Sequence, residues 1–295
     1  MKLRIAENFR AVFYAPFYAI RALGLATREG LEVEWLPSDT PGGAIQQVKR
    51  GAIDAQWGGP MRVLKDHDSP VPSLVCFAEV VWRDPFYLIG RESAPRFQLK
   101  DLGAMRLGIV SEVPTPWYCL RADLEDAGVD TAAMRLTKDL SMPQQMEALA
   151  TGKLDAVQLF EPYASRALAD GYAILYAASS RGPTSYTTFI TSRDSASKRR
   201  DEFAALERAT QAMLDWLAKE GAAELARATA AFFPDVPRDL LRTALERYHG
   251  AKLWSRTPSV SNAGFDRLAY SMHSGGFIAR RATYAECVQD FGSPA

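Results

Sequence analysis

Residues 46–55, QQVKRGAIDA, and residues 145–156, QMEALATGKLDA, are two copies of one pattern, and this pattern decides the fold. In both copies a helical stretch leads to a glycine, and the glycine leads to a short apolar run that contains Asp-Ala. Gly51 and Gly152 lie 101 positions apart. Glycine readily adopts the left-handed conformation that often ends a helix, so each copy predicts a helix, a tight turn and a buried strand. The pattern therefore predicts two α/β units of similar design.

The flanking segments repeat with nearly the same spacing. Residues 3–5 correspond to residues 106–109, and residues 29–31 correspond to residues 127–129. Short strand-like runs alternate with helical patterns as far as residue 192, which predicts parallel or mixed sheets with helical crossovers. The predicted strands are Leu3–Glu7, Leu31–Leu36, Ile53–Trp57, Leu74–Glu79, Met105–Val110, Met134–Thr137 and Asp155–Phe160.

The last third of the chain has a helical pattern instead. From Ala196 onward, apolar residues recur every three or four positions, as one face of an amphipathic helix requires. The clearest run comprises Phe203, Leu206, Thr210, Met213 and Leu217. We expect this region to pack on one of the two α/β units rather than to form a domain of its own.

The composition is that of an ordinary globular protein, with 47% hydrophobic residues in a chain of 295. Its 35 basic residues balance 35 acidic ones, so the formal net charge at pH 7 is zero. Broad nucleic-acid or membrane-surface binding needs a surplus of Lys and Arg, and a membrane helix needs about 20 apolar residues in a row. We therefore expect no nucleic-acid partner and no membrane insertion.

The cysteine and histidine residues are few and widely separated. They are Cys76, Cys119, Cys287, His67, His249 and His273. This spacing predicts neither a disulfide framework nor a zinc site, and we expect no metal and no cofactor. The first residues lead directly into a strand pattern, and no signal peptide is visible. We expect a cytoplasmic location for the sequence as written, or a periplasmic one if it is a trimmed mature form.

Prolines mark the expected starts of several helices. They are Pro16, Pro41, Pro60, Pro143 and Pro162. Pro60 and Pro162 follow predicted strands almost at once, and in open α/β sheets the crevice beyond the strand ends is the usual ligand site. Free N–H groups at helix starts favour negative charge there. The alternative is that these prolines only begin helices, for which their geometry is well suited.

The first 60 residues carry a resemblance to a known family. Residues 13–19, FYAPFYA, residues 30–34, GLEVE, and the two Gly-x-x-Asp-Ala segments resemble the SsuA/THI5-like (NMT1/THI5-like) family of substrate-binding proteins. The resemblance covers roughly residues 1–250. Members of this family have a type II periplasmic-binding-protein fold and bind sulfonates, nitrate, taurine or pyrimidine precursors of thiamine, mostly for ABC importers.

The resemblance implies an α/β protein of two lobes, each a mixed sheet flanked by helices. Two crossing segments would join the lobes, near residues 82–90 and 183–191, as a hinge requires. The first lobe would comprise residues 1–84 and 189–295, and the second lobe residues 85–188. A ligand would bind between the lobes, and we expect a monomer that delivers it to an importer permease.

The resemblance also implies which residues line the cleft. In the first lobe they are Phe13, Tyr14, Ser38, Asp39, Thr40, Trp57, Gly58 and Gly59. In the second lobe and the second crossing they are Ser111, Glu112, Thr115, Trp117, Tyr118, Phe160, Glu161, Thr184 and Tyr186. This set is rich in rings and hydroxyl groups, which suits a planar ligand stacked between aromatic side chains.

Two ligand classes remain open. The rings, with Asp39 and Glu161 as acceptors for an amino group, favour a pyrimidine-like thiamine precursor. Each of these residues also has a structural alternative. Either carboxylate could cap a helix. Trp57 and Trp117 could be core residues, and Gly58-Gly59 could simply make a turn. An arginine that points inward would favour a sulfonate or carboxylate, because guanidinium groups pair with such anions. The candidates are Arg62, Arg83 and Arg121.

We predict no catalytic residues. Pyrimidine synthases of this fold carry a catalytic histidine at about the position of Arg62 in this chain. They also carry a cysteine-rich run before the second crossing, but the corresponding residues 182–187 contain no cysteine. Desulfinases of this fold use a cysteine near the first loop, where none occurs. We expect His67 on the solvent side of a helix and Cys76 in the core. The alternative is a cytoplasmic enzyme on the same scaffold. Cys119, near the predicted cleft, is the thiol that could be reactive in such an enzyme.

Overall fold

Two mixed β-sheets of five strands each form the framework of the computed structural model, which describes residues 1–38, 40–110 and 113–292. The strands are β1 (Lys2–Ala6), β2 (Glu32–Leu36), β3 (Ala55–Gly58), β4 (Leu74–Val81), β5 (Tyr87–Gly90), β6 (Arg106–Gly108), β7 (Arg135–Thr137), β8 (Ala156–Leu159), β9 (Ala173–Ala177) and β10 (Thr187–Ser192).

The strand order shows the duplication that the sequence predicts. The first sheet has the order β2-β1-β3-β10-β4, and the second has the order β7-β6-β8-β5-β9. In each sheet the first three strands are parallel, and a strand from one of the two crossing segments, β10 or β5, lies antiparallel beside them. We call each sheet with its packed helices a lobe. The predicted two-lobed α/β architecture is confirmed, whereas the exact domain boundaries stay a prediction.

The helices cover the faces of both sheets. They are α1 (Ala15–Ala22), α2 (Leu25–Arg28), α3 (Ile45–Lys49), α4 (Met61–Asp66), α5 (Thr115–Asp126), α6 (Met142–Ala150), α7 (Tyr163–Ala169), α8 (Arg193–Lys198), α9 (Arg200–Thr229, with a break at Gly221), α10 (Arg238–Gly250), α11 (Asn262–Ser274) and α12 (Tyr284–Cys287). Short 3₁₀ turns occupy Val12–Tyr14, Leu99–Ala104, Ala178–Arg181 and Ala230–Phe232. No helix of the described chain combines the length and apolarity that crossing a bilayer requires.

The prolines begin helices at four of the five predicted positions. Pro16 and Pro143 lie in the first turns of α1 and α6, and Pro60 and Pro162 directly precede α4 and α7. The prediction is wrong for Pro41. A turn follows it, and α3 begins only at Ile45.

The repeated glycine ends a helix in both lobes. Gly51 has a φ of +69° and Gly152 a φ of +72°, the left-handed conformation that the pattern predicts. This conformation strains every residue with a Cβ atom, which explains why glycine occupies both positions.

The repeated aspartate has a structural role in both lobes. The carboxylate of Asp54 accepts a hydrogen bond from the backbone N–H of Arg4 at 2.6 Å. Asp155 accepts the equivalent bond from Arg106 at 2.8 Å and also pairs with its guanidinium group. Each aspartate thereby ties the loop before the third parallel strand to the first strand of its sheet. The motif that reveals the fold is therefore not part of the binding site.

The C-terminal helices contact both lobes, contrary to the expectation that they pack on one. Helix α9 packs on α1, α2 and β4 of the first lobe. Helix α10 also contacts α7, and α11 lies between α4 and α5, so both reach the second lobe. These contacts depend on how the two lobes are placed in space, which a helical pattern does not reveal.

Candidate ligand-binding site

Aromatic rings from both lobes meet where the lobes face each other. The Phe13 ring of the first lobe lies 5.5 Å from the Phe160 ring of the second lobe, measured between centroids. It lies 6.2 Å from the ring of Tyr186, which stands in the second crossing. Phe9 also contacts Phe160, with centroids 6.4 Å apart. These rings pack on one another, so the two lobes are closed at this point.

A small cavity, lined by described residues, lies beside this cluster. Its volume is about 20 Å³, which is room for about one water molecule. The lining residues come from the ends of β1 and β3, from the start of α5 and from the second crossing. They are Asn8, Phe9, Phe13, Tyr14, Gly59, Met61, Arg62, Val113, Thr115 and Tyr186. The carboxyl ends of the first-lobe strands therefore do face the second lobe, as open α/β sheets require of a ligand site.

Arg62 is the charged residue at this cavity. Its guanidinium group lies so close to Gly42 that a Cβ atom there would overlap it. The backbone N–H of Gly42 donates to Asn8 Oδ1 at 2.6 Å, and Asn8 Nδ2 donates to the Tyr14 hydroxyl at 3.0 Å. This chain of contacts holds Arg62, Asn8 and Tyr14 around one point.

The charge of Arg62 has no partner among the residues that the structure describes. No described carboxylate pairs with its guanidinium group, and its Nε is buried without a hydrogen-bond acceptor. Burial lowers the pKa of Arg62, and the neighbouring Tyr14 opposes this effect. Burial also raises the pKa of Tyr14 to about 12, so its hydroxyl stays protonated and able to donate. A buried cation without a counter-charge is costly, and an anionic ligand would relieve that cost.

Two sequence comparisons show which known proteins the chain is similar to. A model of the NMT1-like family matches residues 91–231. A candidate binding protein of Bacillus subtilis, YtlA, is 26% identical over 298 residues, which cover 97% of this chain and 87% of that protein. Both matches agree with the resemblance to SsuA/THI5-like substrate-binding proteins that the sequence carries.

Solved structures show the same fold at low sequence identity. The alkanesulfonate-binding protein SsuA from Xanthomonas axonopodis pv. citri, bound to MOPS, has a TM-score of 0.73 and 16% identity, with 98% of each chain covered. The periplasmic aliphatic sulphonate binding protein SsuA from Escherichia coli has a TM-score of 0.72 and 15% identity, with 97% of each chain covered. This chain therefore has the type II periplasmic-binding-protein fold.

Glu161 lies near the lobe interface, but its side chain is already hydrogen-bonded within the protein. One carboxylate oxygen accepts from the backbone N–H of Ser165 at 2.9 Å, within helix α7. The other accepts from the Ser165 hydroxyl at 3.0 Å and from Arg247 Nε at 2.8 Å. These contacts favour the helix-capping alternative over a hydrogen bond to a ligand.

The two tryptophans pack in separate interiors. Trp57 is fully buried and stacks on Phe17, with ring centroids 5.2 Å apart. Trp117 is half-buried and packs against the apolar cluster of the second lobe. Both positions favour core packing, which was one of the two alternatives for each residue.

Other predicted residues lie at or near the interface. A Cβ atom on Gly59 would lie 3.7 Å from Thr115 Oγ1, so the loop after β3 touches the start of α5. Gly58 ends β3, and Thr184 is buried in the second crossing. The Tyr118 ring instead contacts Phe277, with centroids 5.3 Å apart.

Of the remaining predicted residues, the structure describes Ser38 and Thr40, in the loop after β2. Thr40 is exposed, and its carbonyl accepts from the Ser38 hydroxyl at 3.0 Å. Asp39, Ser111 and Glu112 lie outside the described residues. Sequence reasoning missed Asn8 and Gly42. Asn8 follows β1 directly, so the rule that ligands bind beyond strand ends could have found it.

His67 and Cys119 also differ from expectation. His67 is buried rather than solvent-facing, because the C-terminal segment folds over α4 and places Arg280 Nη2 3.2 Å from its Nδ1. Arg193 Nη2 lies 3.3 Å from its Nε2. Cys119 is fully buried, and burial raises its pKa to about 12. A thiol with such a pKa is protonated at neutral pH and is a poor nucleophile.

Proposed function

We propose that this protein is a solute-binding protein that captures a small organic anion between its lobes and delivers it to an ABC importer. The observation that carries this proposal is the Arg62 guanidinium, which faces the interlobe cavity without a carboxylate partner among the described residues. Guanidinium groups bind carboxylates and sulfonates through paired, charge-assisted hydrogen bonds. The likeness in fold to two sulfonate-binding proteins supports the same class of ligand.

An organic anion suits the site better than the pyrimidine-like thiamine precursor that the sequence favoured. That ligand would need Glu161 as an acceptor, but Ser165 and Arg247 occupy its oxygens. It would also need a gap between aromatic rings, whereas Phe13, Phe160 and Tyr186 pack on one another. The anion alternative needs an inward arginine, and Arg62 meets that condition.

We further propose that the protein works outside the inner membrane. The similar Escherichia coli protein is described as periplasmic, and delivery to an importer requires that side. The buried Cys119 thiol, with its raised pKa, counts against the alternative of a cysteine-dependent enzyme on this scaffold.

Calorimetric titration of the purified chain tests the proposal. The probes are methanesulfonate, taurine, benzenesulfonate, benzoate and an aminopyrimidine. We expect at least one anion to bind with a micromolar Kd, equivalent to about −8 kcal/mol. At 100 times its Kd the ligand should add about 2.7 kcal/mol to the free energy of unfolding, which a thermal-shift assay detects.

The substitution Arg62→Met should weaken binding of the anion by about 100-fold, because a charged hydrogen bond between buried partners is lost. Arg50→Met is the matched control, since Arg50 is exposed on the same lobe at the end of α3. Binding of the aminopyrimidine alone, or unchanged anion binding by the Arg62 variant, would contradict the proposal.

A further inference from the structure

A groove next to the interlobe cavity is large enough for a ligand. Its volume is about 360 Å³, within the range of small-molecule sites. Helices α3 and α4 of the first lobe form its walls, the second lobe contributes Pro114, and the C-terminal segment contributes Phe277. The apolar lining residues are Pro41, Ile45, Met61, Leu74, Pro114 and Phe277.

The groove also carries positive charge. Lys49 pairs with Asp66, whose carboxylate accepts further bonds from the backbone N–H groups of Ser73 at 2.7 Å and Leu74 at 2.8 Å. Lys65 lies 2.9 Å from an Asp68 oxygen. Because Asp66 and Asp68 are both paired with lysines, their negative charges are offset and do not keep an anion out of the groove. Arg62 is the lining cation that forms no ion pair with a described residue.

The groove and the interlobe cavity share two residues. Met61 and Arg62 line both spaces. An anionic group bound to Arg62 therefore stands at the boundary between them. The cavity has room for about one water molecule, so it cannot hold the rest of a ligand, whereas the adjoining groove can.

We propose that this groove holds the apolar body of the ligand while Arg62 holds its anionic group. The ligand class is then an amphiphilic organic anion, such as a medium-chain or aromatic sulfonate or carboxylate, rather than nitrate or taurine. This inference rests on the proposed function, because it assigns the anion to Arg62. The inference adds the position of the ligand's apolar body and the approximate size of the ligand.

A series of alkanesulfonates tests the inference. Affinities of methanesulfonate, butanesulfonate and octanesulfonate are measured by calorimetry on the intact chain. Each methylene buried in an apolar groove should tighten binding about threefold. We expect octanesulfonate to bind at least 100-fold more tightly than methanesulfonate. Equal affinities across the series would overturn the groove assignment, even if methanesulfonate binding depends on Arg62.

Two variants locate the effect in the groove. Ile45→Trp should fill it and remove most of the gain with chain length, while methanesulfonate affinity stays within threefold of the parent value. Gln47→Trp is the matched control, because Gln47 is exposed on the same helix and does not line the groove. If Ile45→Trp does not fold, Phe277→Ala, which removes part of the wall, should lower octanesulfonate affinity about tenfold.

The outcomes separate the two proposals. Chain-length dependence that Ile45→Trp leaves unchanged would overturn the groove assignment alone, as would an unchanged octanesulfonate affinity in Phe277→Ala if the first variant does not fold. Anion binding that survives Arg62→Met, or no anion binding at all, would overturn the proposed function. The expected loss in the groove variant, together with unchanged chain-length dependence in Gln47→Trp, supports both proposals.

Discussion

At the scale of single residues, the candidate site depends on a close contact between Gly42 and Arg62. Gly42 has a φ of +73° and no side chain, so the guanidinium group can lie against its backbone. The same backbone donates to Asn8, which in turn donates to Tyr14. A residue without any functional group therefore determines where the charge of the site stands.

Gly42→Ala should displace the Arg62 guanidinium, because the new Cβ would overlap it. We expect anion affinity to fall about tenfold or more and the free energy of unfolding to fall by about 1 kcal/mol from the positive φ. Gly51→Ala is the control: its φ is +69°, but a Cβ there meets nothing within 4 Å. Calorimetry and urea denaturation measure the two effects. Equal losses of affinity in both variants would contradict a specific role for Gly42.

At the scale of elements, a buried carboxylate links strand β4 to the segment before α11. Glu79 is fully buried, and one of its oxygens accepts from the backbone N–H of Ser261 at 3.0 Å. Its other oxygen has no hydrogen-bond partner among the described residues. Burial raises the pKa of Glu79 to about 8, so the folded protein binds a proton here that the unfolded chain has lost at neutral pH.

This raised pKa predicts how stability depends on pH. The contribution of Glu79 is fully present below the ordinary glutamate pKa of about 4.3 and is lost as the pH rises toward 8. The free energy of unfolding should fall by at most about 1.4 kcal/mol per pH unit in this range. Glu79→Gln should remove this slope. The difference in free energy of unfolding between the variant and the parent protein should therefore change steadily between pH 5 and pH 8. Urea denaturation at several pH values measures it, and parallel curves for the two proteins would refute the prediction.

At the scale of the whole molecule, the C-terminal helices hold the two lobes together. Arg247 of α10 pairs with the buried Glu161 of the second lobe at 2.8 Å. Tyr270 of α11 donates to Asp126 of α5 at 3.1 Å, and Arg121 of α5 donates to the carbonyl of Gly275 at 3.2 Å. The structure is therefore a closed form in which two separate helices bridge the lobes.

Arg247→Gln should favour an open arrangement, because the Glu161 carboxylate loses its charged partner across the lobe interface. We expect a loss of about 3 kcal/mol in the free energy of unfolding and weaker ligand binding. The radius of gyration in solution scattering should increase in the absence of ligand. Arg242→Gln, which breaks an exposed pair with Glu246 on the same helix, should change none of these quantities measurably. An unchanged radius together with unchanged affinity would count against this bridging role.

Strand β9 and helices α10 and α11 mark the limit of what the sequence predicts about the fold. The duplicated pattern predicted seven strands that the structure contains, because a glycine turn and an apolar run are local signals. Strand β9 was missed because it is a short, half-buried edge strand without alternating polar residues. The bridging role of α10 and α11 was missed because it depends on contacts between residues far apart in the chain.

The sequence by itself determined the duplicated α/β design, the glycine turns and the family resemblance, since each depends on residues close together along the chain. Only the tertiary structure decided that the aspartates of the repeat tie strands together and that the aromatic rings pack on one another. It also decided that Arg62 lies between a cavity and a groove, with no ion-pair partner among the described residues. Whether a buried charge has a partner depends on segments folded against it from elsewhere in the chain, and local sequence does not encode that partner.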